Sequence, residues 1–445
     1  MAPSPPASRV RWTIVWLLVG FSLVSYVERM NISVAAKFMV PELGLTQVQM
    51  GQIFSAFLLG YAALQIPLGM LGDRFGPYRV LAVLGWAWAL LTVLSGYIPG
   101  TLTGTGVGAF GGLVVIRFLL GTTIAGVYPL CARTVANWQP VSERAFAYSF
   151  VIAGVSIGSA ITPPAVAWLM VTLGWRQSFY LTSTLAVAIA VLWMRYGADG
   201  PRQHRGVSEA ELAAIETGQQ GADMATGESS KAAWGQALRN RSLQLLSLSY
   251  FFVGYVLYVF VFWFFTYLVD VRQFSILGSG VVTSLPFVVA GFLSPVGGAI
   301  CDRLTVWWGR RQGRRVTAMF GVLVAASCLF IGIRTGNAYL AVATFSLAFG
   351  FQMFAESAYW SAAMDIGGRA TGAATGLINT ANNLGGVVST ALMPMLVERF
   401  GWGVAFNSCA VVAAVAALLW LGIRADRPVV VAERLQPEAE ALEAI

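Results

Sequence analysis

Four ionisable side chains interrupt stretches that are otherwise apolar: Glu28, Arg29, Arg117 and Glu356. Two guanidinium groups and two carboxylates in apolar surroundings suit two kinds of chemistry, binding an anion and exchanging a proton. Arginine's planar fork grips a carboxylate through two parallel hydrogen bonds, which orients as well as attracts. A carboxylate withdrawn from water is poised to take up a proton. Tyr26 lies three residues before Arg29 on nearly the same helical face, and Tyr61 offers a second phenol, so the set suits a substrate with hydroxyls beside its carboxylate. Glu28 is set about 100 degrees round the helix from Arg29 and does not fully share its direction, so it is expected to pair with another cation or to exchange a proton. Beside Glu356, Tyr359-Trp360 offers a stacking and hydrogen-bonding surface. Between Gly372 and Gly386, Thr375, Asn379, Asn382 and Asn383 share one helical stripe, which serves ligand binding or interhelical amide bonding equally well.

Other chemistries are poorly represented. The single histidine, His204, sits in a polar segment, and the four cysteines (Cys131, Cys301, Cys328, Cys409) show no paired spacing. No metal site, no cofactor and no nucleophile-base set is expected, and a membrane enzyme is disfavoured on the same grounds. Charges on several spans together with a duplicated layout also suit a closed midplane site better than a continuous channel.

The elements that hold these residues must be membrane helices. The 445 residues are 57% hydrophobic and 11% charged, with mean hydropathy +0.70. At about 20 residues per crossing the chain has room for a dozen helices and no large soluble domain. Apolar runs fall at 13–35, 48–71, 79–98, 108–131, 145–170 and 178–196, then 244–269, 281–301, 316–334, 339–361, 371–396 and 402–423. The first is too long for a secretory signal and contains Glu28-Arg29, so it is expected to remain as span 1. The division expected is an N-terminal segment 1–12, a six-helix half 13–196, a linker 197–243, a second half 244–423 and a tail 424–445.

With twelve spans both termini share a side. Placing them in the cytoplasm puts 21 of the 28 lysines and arginines inside, so the net charge of +8 becomes a topology signal and nucleic acid is not an expected partner. In the linker, Ser208-Glu209-Ala210-Glu211 has the form of a capping box and predicts a short helix over 209–217, followed by a mobile Gly-rich stretch. The acidic tail is expected to be disordered.

The halves echo each other. Gly69-Met-Leu-Gly-Asp73-Arg74-Phe-Gly76 follows span 2, and Gly298-Ala-Ile-Cys-Asp302-Arg303 follows span 8, 229 residues later. Gly174-Trp175 and Gly401-Trp402 open spans 6 and 12 at an offset of 227, and Arg144-Ala145 and Arg369-Ala370 introduce spans 5 and 11 at 225. Three landmarks at nearly one offset predict two parallel six-helix repeats.

The G-x-x-x-D-R-x-G loop, its weaker copy and the six-plus-six layout resemble the major facilitator superfamily. That resemblance implies a twelve-helix, all-α membrane fold, a cytoplasmic latch formed by Gly69, Asp73, Arg74, Gly76, Asp302 and Arg303, and a central cavity lined by spans 1, 4, 7 and 10. The four buried charges lie on spans 1, 4 and 10, while span 7 supplies Phe251, Tyr255, Tyr258 and Phe262. Tyr26-Val-Glu28-Arg29-Met-Asn31, Arg117-Phe-Leu-Leu-Gly121, Tyr359-Trp360 and the Asn-rich span 11 further resemble the anion:cation symporters, closest to their bacterial sugar-acid branch. On that resemblance Arg29, Tyr26, Tyr61, Arg117, Tyr359, Trp360, Asn379 and Asn383 bind a small organic anion such as a hexonate, hexuronate or aldarate. Glu28 and Glu356 would couple protons, and a monomer would work in a bacterial inner membrane. One departure stands out: Ile124 occupies the span-4 position, seven residues after Arg117, where many members carry a glutamate. An exchanger or uniporter for organophosphates or dicarboxylates is therefore the alternative expectation, and a drug exporter a weaker one.

Overall fold

The computed structural model describes residues 8–140, 143–219, 235–236, 238–368 and 371–427. Its α-helices are α1 (Val10–Leu43), α2 (Gln47–Phe75), α3 (Pro77–Thr101), α4 (Val107–Ala125), α5 (Val127–Trp138), α6 (Arg144–Leu173), α7 (Trp175–Tyr196), α8 (Glu209–Gln219), α9 (Arg241–Phe262), α10 (Phe264–Asp270), α11 (Ile276–Arg334), α12 (Ala338–Gly367) and α13 (Thr371–Leu419). No strand occurs among the described residues. Side-chain caps set several starts: Thr46 and Gln49 form a reciprocal capping box on α2, while Asn240, Ser275 and Asn337 cap α9, α11 and α12.

Among the described residues nine helices are long and apolar enough to cross a bilayer, and the pair 47–65 and 67–75 in α2, bent by 47°, makes a tenth. Two of them are double. At 59 residues α11 would run about 90 Å, roughly three bilayer cores, if straight. Instead it folds back at Gly309 (φ 77°), and the 49-residue α13 does so at Gly401 (φ 78°). Positive φ at those corners needs glycine. Ten crossings with two further legs give twelve spans, in which span 4 is α4 and α5 joined at Gly126, and span 7 is α9 and α10 joined at Trp263. Large apolar side chains such as Phe292 and Val411, 74% and 62% exposed, form the outer surface that lipid would cover.

The duplication is structural. In the first half α1 packs on α6, α2 on α4 and α3 on α7; in the second, α9 packs on α13 and α11 on α12 and α13. Gly76 (φ 85°) and Gly174 (φ 90°) turn the first half where Gly309 and Gly401 turn the second. The Arg144-Ala145 landmark opens α6, but its echo at 369–370 lies outside the described residues. A further pair went unnoticed in the sequence: Gly121 and Gly350, 229 apart, let span 4 approach Phe57 of span 2 and span 10 approach Val289 of span 8.

The second loop copy differs from expectation. Its helix does not stop near 301 but continues through Trp308, because nothing between Arg303 and Gly309 breaks a helix. Hydropathy marks where the chain turns polar, and a helix can extend past that point into water.

The linker contains α8 as expected, and Ser208 Oγ accepts from Glu211 N at 3.3 Å. Glu211 does not complete the box. Its carboxylate accepts the Val10 and Arg11 amides at 3.3 and 3.0 Å, so α8 caps span 1. The Gly-rich stretch from 220 to 234 and the tail from 428 lie outside the described residues.

Between the halves, α2 packs on α13 and α6 on α11. Ser55 Oγ lies 2.7 Å from Thr390 Oγ1 and 2.9 Å from Val387 O, Ser284 Oγ donates to Ala160 O at 2.5 Å, and Lys37 pairs with Asp270. These bonds lie between mid-depth and the end opposite the N-terminus. At the N-terminal end, the polar bonds among the described residues join groups of the same half: Arg11 with Glu143, Asp73 with Arg133, and Arg314 with both Asp302 and Asp365. Among the described residues the polar bonds across the seam therefore run from mid-depth towards one end.

Candidate functional site

Arg29 lies on the seam, 4% exposed. Its guanidinium carbon stands 4.8 Å from the Tyr26 ring centroid, 4.7 Å from Tyr61 and 5.6 Å from Phe57, so spans 1 and 2 surround it with aromatic faces. Nη1 donates to the Tyr258 hydroxyl of span 7 at 3.5 Å, across the seam. Tyr258 in turn donates to Asn383 Oδ1 at 2.7 Å, and Asn383 Nδ2 donates to the Asn379 carbonyl at 2.8 Å. Nε and Nη2 of Arg29 have no partner among the described residues. Nor does a carboxylate there form an ion pair with it. A guanidinium held by rings and one long hydrogen bond retains most of its capacity to bind an anion.

Glu28 faces the interior of the first half. Its Oε2 accepts from Thr92 Oγ1 at 2.5 Å and Asn31 Nδ2 at 3.4 Å, while Oε1 is buried without a partner. Arg117, 1% exposed, joins this cluster: Nη1 donates to the Glu28 carbonyl at 3.2 Å and Nη2 to Asn31 Oδ1 at 3.3 Å, and the Phe179 ring lies 5.4 Å away. Thus Arg117 is brought together with Glu28, not with Arg29. Ile124, further along α4, is fully buried.

Glu356 forms a third cluster, in the second half. Its Oε1 accepts from the Tyr250 hydroxyl and from Trp360 Nε1 at 2.9 Å. Tyr359 is buried behind it, stacked on Tyr250 at 4.9 Å and bonded to Ser249 at 2.7 Å, and it packs within its own half. In span 11, Asn382 Nδ2 donates to the Tyr250 carbonyl and Thr375 to its own helix, so these two bond helices and Asn383 is the amide that reaches the Arg29 cluster. Tyr255 turns away to Ser408, and Phe262 stacks on Phe54.

Of the expected latch residues, Asp73 lies 3.5 Å from Arg133, Arg74 stacks on Phe75, and Gly69 faces Pro129. Gly76 makes the turn, beside Asp199, which accepts from Tyr78 N at 2.9 Å. In the second copy Asp302 pairs with Arg314 at 3.1 Å, and Arg303 is exposed. Sequence reasoning missed Tyr258, Tyr250, Thr92 and Arg314 as partners. Tyr258 was visible only as part of an aromatic face, and nothing in the spacing told which phenol meets the arginine.

A family model described as the Major Facilitator Superfamily matches residues 18–390. The chain belongs to that superfamily. Within it, the chain is 33% identical over 395 residues to the "Probable sulfoacetate transporter" of Cupriavidus necator, covering 88% of this chain and 89% of that one. It is 32% identical over 413 residues to the "Probable galactarate/D-glucarate transporter" of Bacillus subtilis, covering 90% and 89%. Among solved structures, a bacterial homologue of the human lysosomal transporter Spinster in an inward-facing, unoccupied conformation aligns with TM-score 0.77 at 16% identity, over 95% of this chain and 99% of that one. The inward-open xylose transporter of E. coli aligns at 0.72 and 16%, over 97% and 99%. These structures share the superfamily fold. The relatives are transporters, not enzymes, and the described residues hold no group of three or more His, Cys, Asp or Glu able to bind a metal.

Proposed function

We propose that this superfamily member carries a small hydroxylated organic anion, a sugar acid, across a bacterial inner membrane by proton symport. The observation that carries the reading is Arg29: buried on the seam, flanked by the Tyr26 and Tyr61 rings, with Nε and Nη2 unpartnered. Its carboxylate ligand would take those two donors side by side, with Tyr26, Tyr61, Asn379, Asn383 and Trp360 as the polar wall. The names of the relatives, which include galactarate, glucarate, galactonate and hexuronate, support the class. Alternating access would follow from rocking the halves, because most polar bonds across the seam sit at one end and would break as that end opens.

Both termini are cytoplasmic in this reading, by the distribution of basic residues, and the bonding pattern then corresponds to an inward-facing state. Glu28 is the coupling acid, with Arg117 as its fixed countercharge and Glu356 as a second candidate. The buried Ile124 favours the alternative of exchange or uniport, since the span-4 carboxylate is replaced by a hydrocarbon. Sugar acid added to proteoliposomes containing the full chain should alkalinise the outside medium as it enters. Uptake without a pH change would replace symport with uniport or exchange.

A further inference from the structure

Glu356 shares its cluster with Trp360, which the sugar-acid reading places in the wall of the anion site. Trp360 Nε1 lies 3.0 Å from the Tyr250 hydroxyl oxygen and 2.9 Å from Glu356 Oε1. The phenol oxygen is engaged by the indole N–H, so its own proton goes to Oε1. Oε1 thus receives the phenol proton and a share of the single indole N–H, an arrangement that stabilises the carboxylate form. Among the described residues Oε2 accepts nothing, and no lysine or arginine pairs with Glu356. The residue is largely but not fully buried, and Oε2 is not among the enclosed unpartnered atoms of the described residues.

Its position relative to Arg29 is set by span 7. Tyr258 bonds Arg29 and Tyr250 bonds Glu356, and eight residues on one helix separate them by about 12 Å along the axis. That axial offset is of the order of an extended six-carbon chain with a hydrogen bond at each end. One end meets a cation with free donors, the other an anion with a free acceptor.

We infer that Glu356 reads the far end of the substrate, accepting hydrogen bonds from the terminal hydroxyls of a polyhydroxy monocarboxylate held by Arg29 and rejecting acids that bring a second carboxylate to that point. The inference rests on the sugar-acid reading and narrows it to aldonate-like acids over aldarates. Discrimination comes from the repulsive element as much as from the attractive one.

The test is a binding competition on the purified full chain in nanodiscs, using a six-carbon aldonate and the aldarate of the same configuration. In the wild type the aldonate binds roughly tenfold tighter or better, since the aldarate brings a second negative charge towards Glu356. Glu356→Gln weakens the aldonate, strengthens the aldarate and so collapses or inverts that ratio, whereas Glu356→Asp preserves it. Equal affinities in the wild type overturn the inference without any variant. A Glu356→Gln protein with an unchanged ratio that has lost proton-driven accumulation also overturns it, by making Glu356 a coupling acid. If neither acid binds, the sugar-acid reading falls and this inference with it.

Discussion

Glu28 and Arg29 are adjacent in sequence and belong to different regions. Arg29 faces the seam, where the halves must separate, and its bonds are few: three rings and one long contact to Tyr258. Glu28 faces the packed interior of the first half, where Thr92 and Arg117 come from two other helices and Asn31 from its own. One turn of a single helix therefore presents a charge to a moving interface and another to a rigid core. A group that binds a ligand in both conformations is better left uncommitted, and a group that must hold or release a proton at a defined place is better framed.

That contrast breaks most readily at Arg29. Arg29→Met removes both donors that would grip the carboxylate; at about 2 kcal/mol for each charged hydrogen bond, sugar-acid binding should disappear from calorimetry. Arg29→Lys keeps the charge but not the fork, and should lose about one such bond, on the order of 30-fold in affinity. Both variants should melt close to the wild type without ligand, because little of the fold bonds to this guanidinium.

Arg117→Met should reverse the pattern. It leaves Glu28 buried without a nearby cation and removes the donors to the Glu28 carbonyl and Asn31, a loss of about 3 kcal/mol. The ligand-free thermal midpoint should fall by several degrees, and sugar-acid affinity among the surviving folded molecules should change little. A large affinity loss with an unchanged midpoint would instead put Arg117 in the binding site. Smaller again is Glu28→Gln, which is nearly isosteric. Counterflow exchange should persist while proton-driven accumulation is lost, and retained accumulation would take Glu28 out of the coupling role.

The fold was legible in the sequence because lipid forces the backbone to satisfy itself within each span, so apolar runs and repeated corners carry the topology. The divergence of the two adjacent charges was legible too: an offset of about 100 degrees sufficed to part Glu28 from Arg29. Partnership across helices was not. Arg117 was expected among the anion-binding residues, yet a long side chain reaches either face, and its partners Asn31 and the Glu28 carbonyl carry no signature. The extension of span 8 to Trp308 was missed for the converse reason, since hydropathy reports polarity and the break depends on a glycine.

The finest distinction concerns Tyr258, the phenol that joins Arg29 to the second half. Tyr258→Phe removes one neutral hydroxyl, about 1 kcal/mol, and should weaken sugar-acid binding by roughly fivefold. The informative measurement is the cycle with Arg29→Lys. If the hydroxyl acts by orienting the guanidinium fork, its removal should cost little once the fork is gone, and the double variant should bind about as well as Arg29→Lys alone. Additive losses would mean that Tyr258 meets the substrate by itself. The two residues belong to different halves, and their hydrogen bond lies at mid-depth on the seam. A coupling energy of about 1 kcal/mol would therefore mean that the binding arginine is aimed from across the interface that transport has to open.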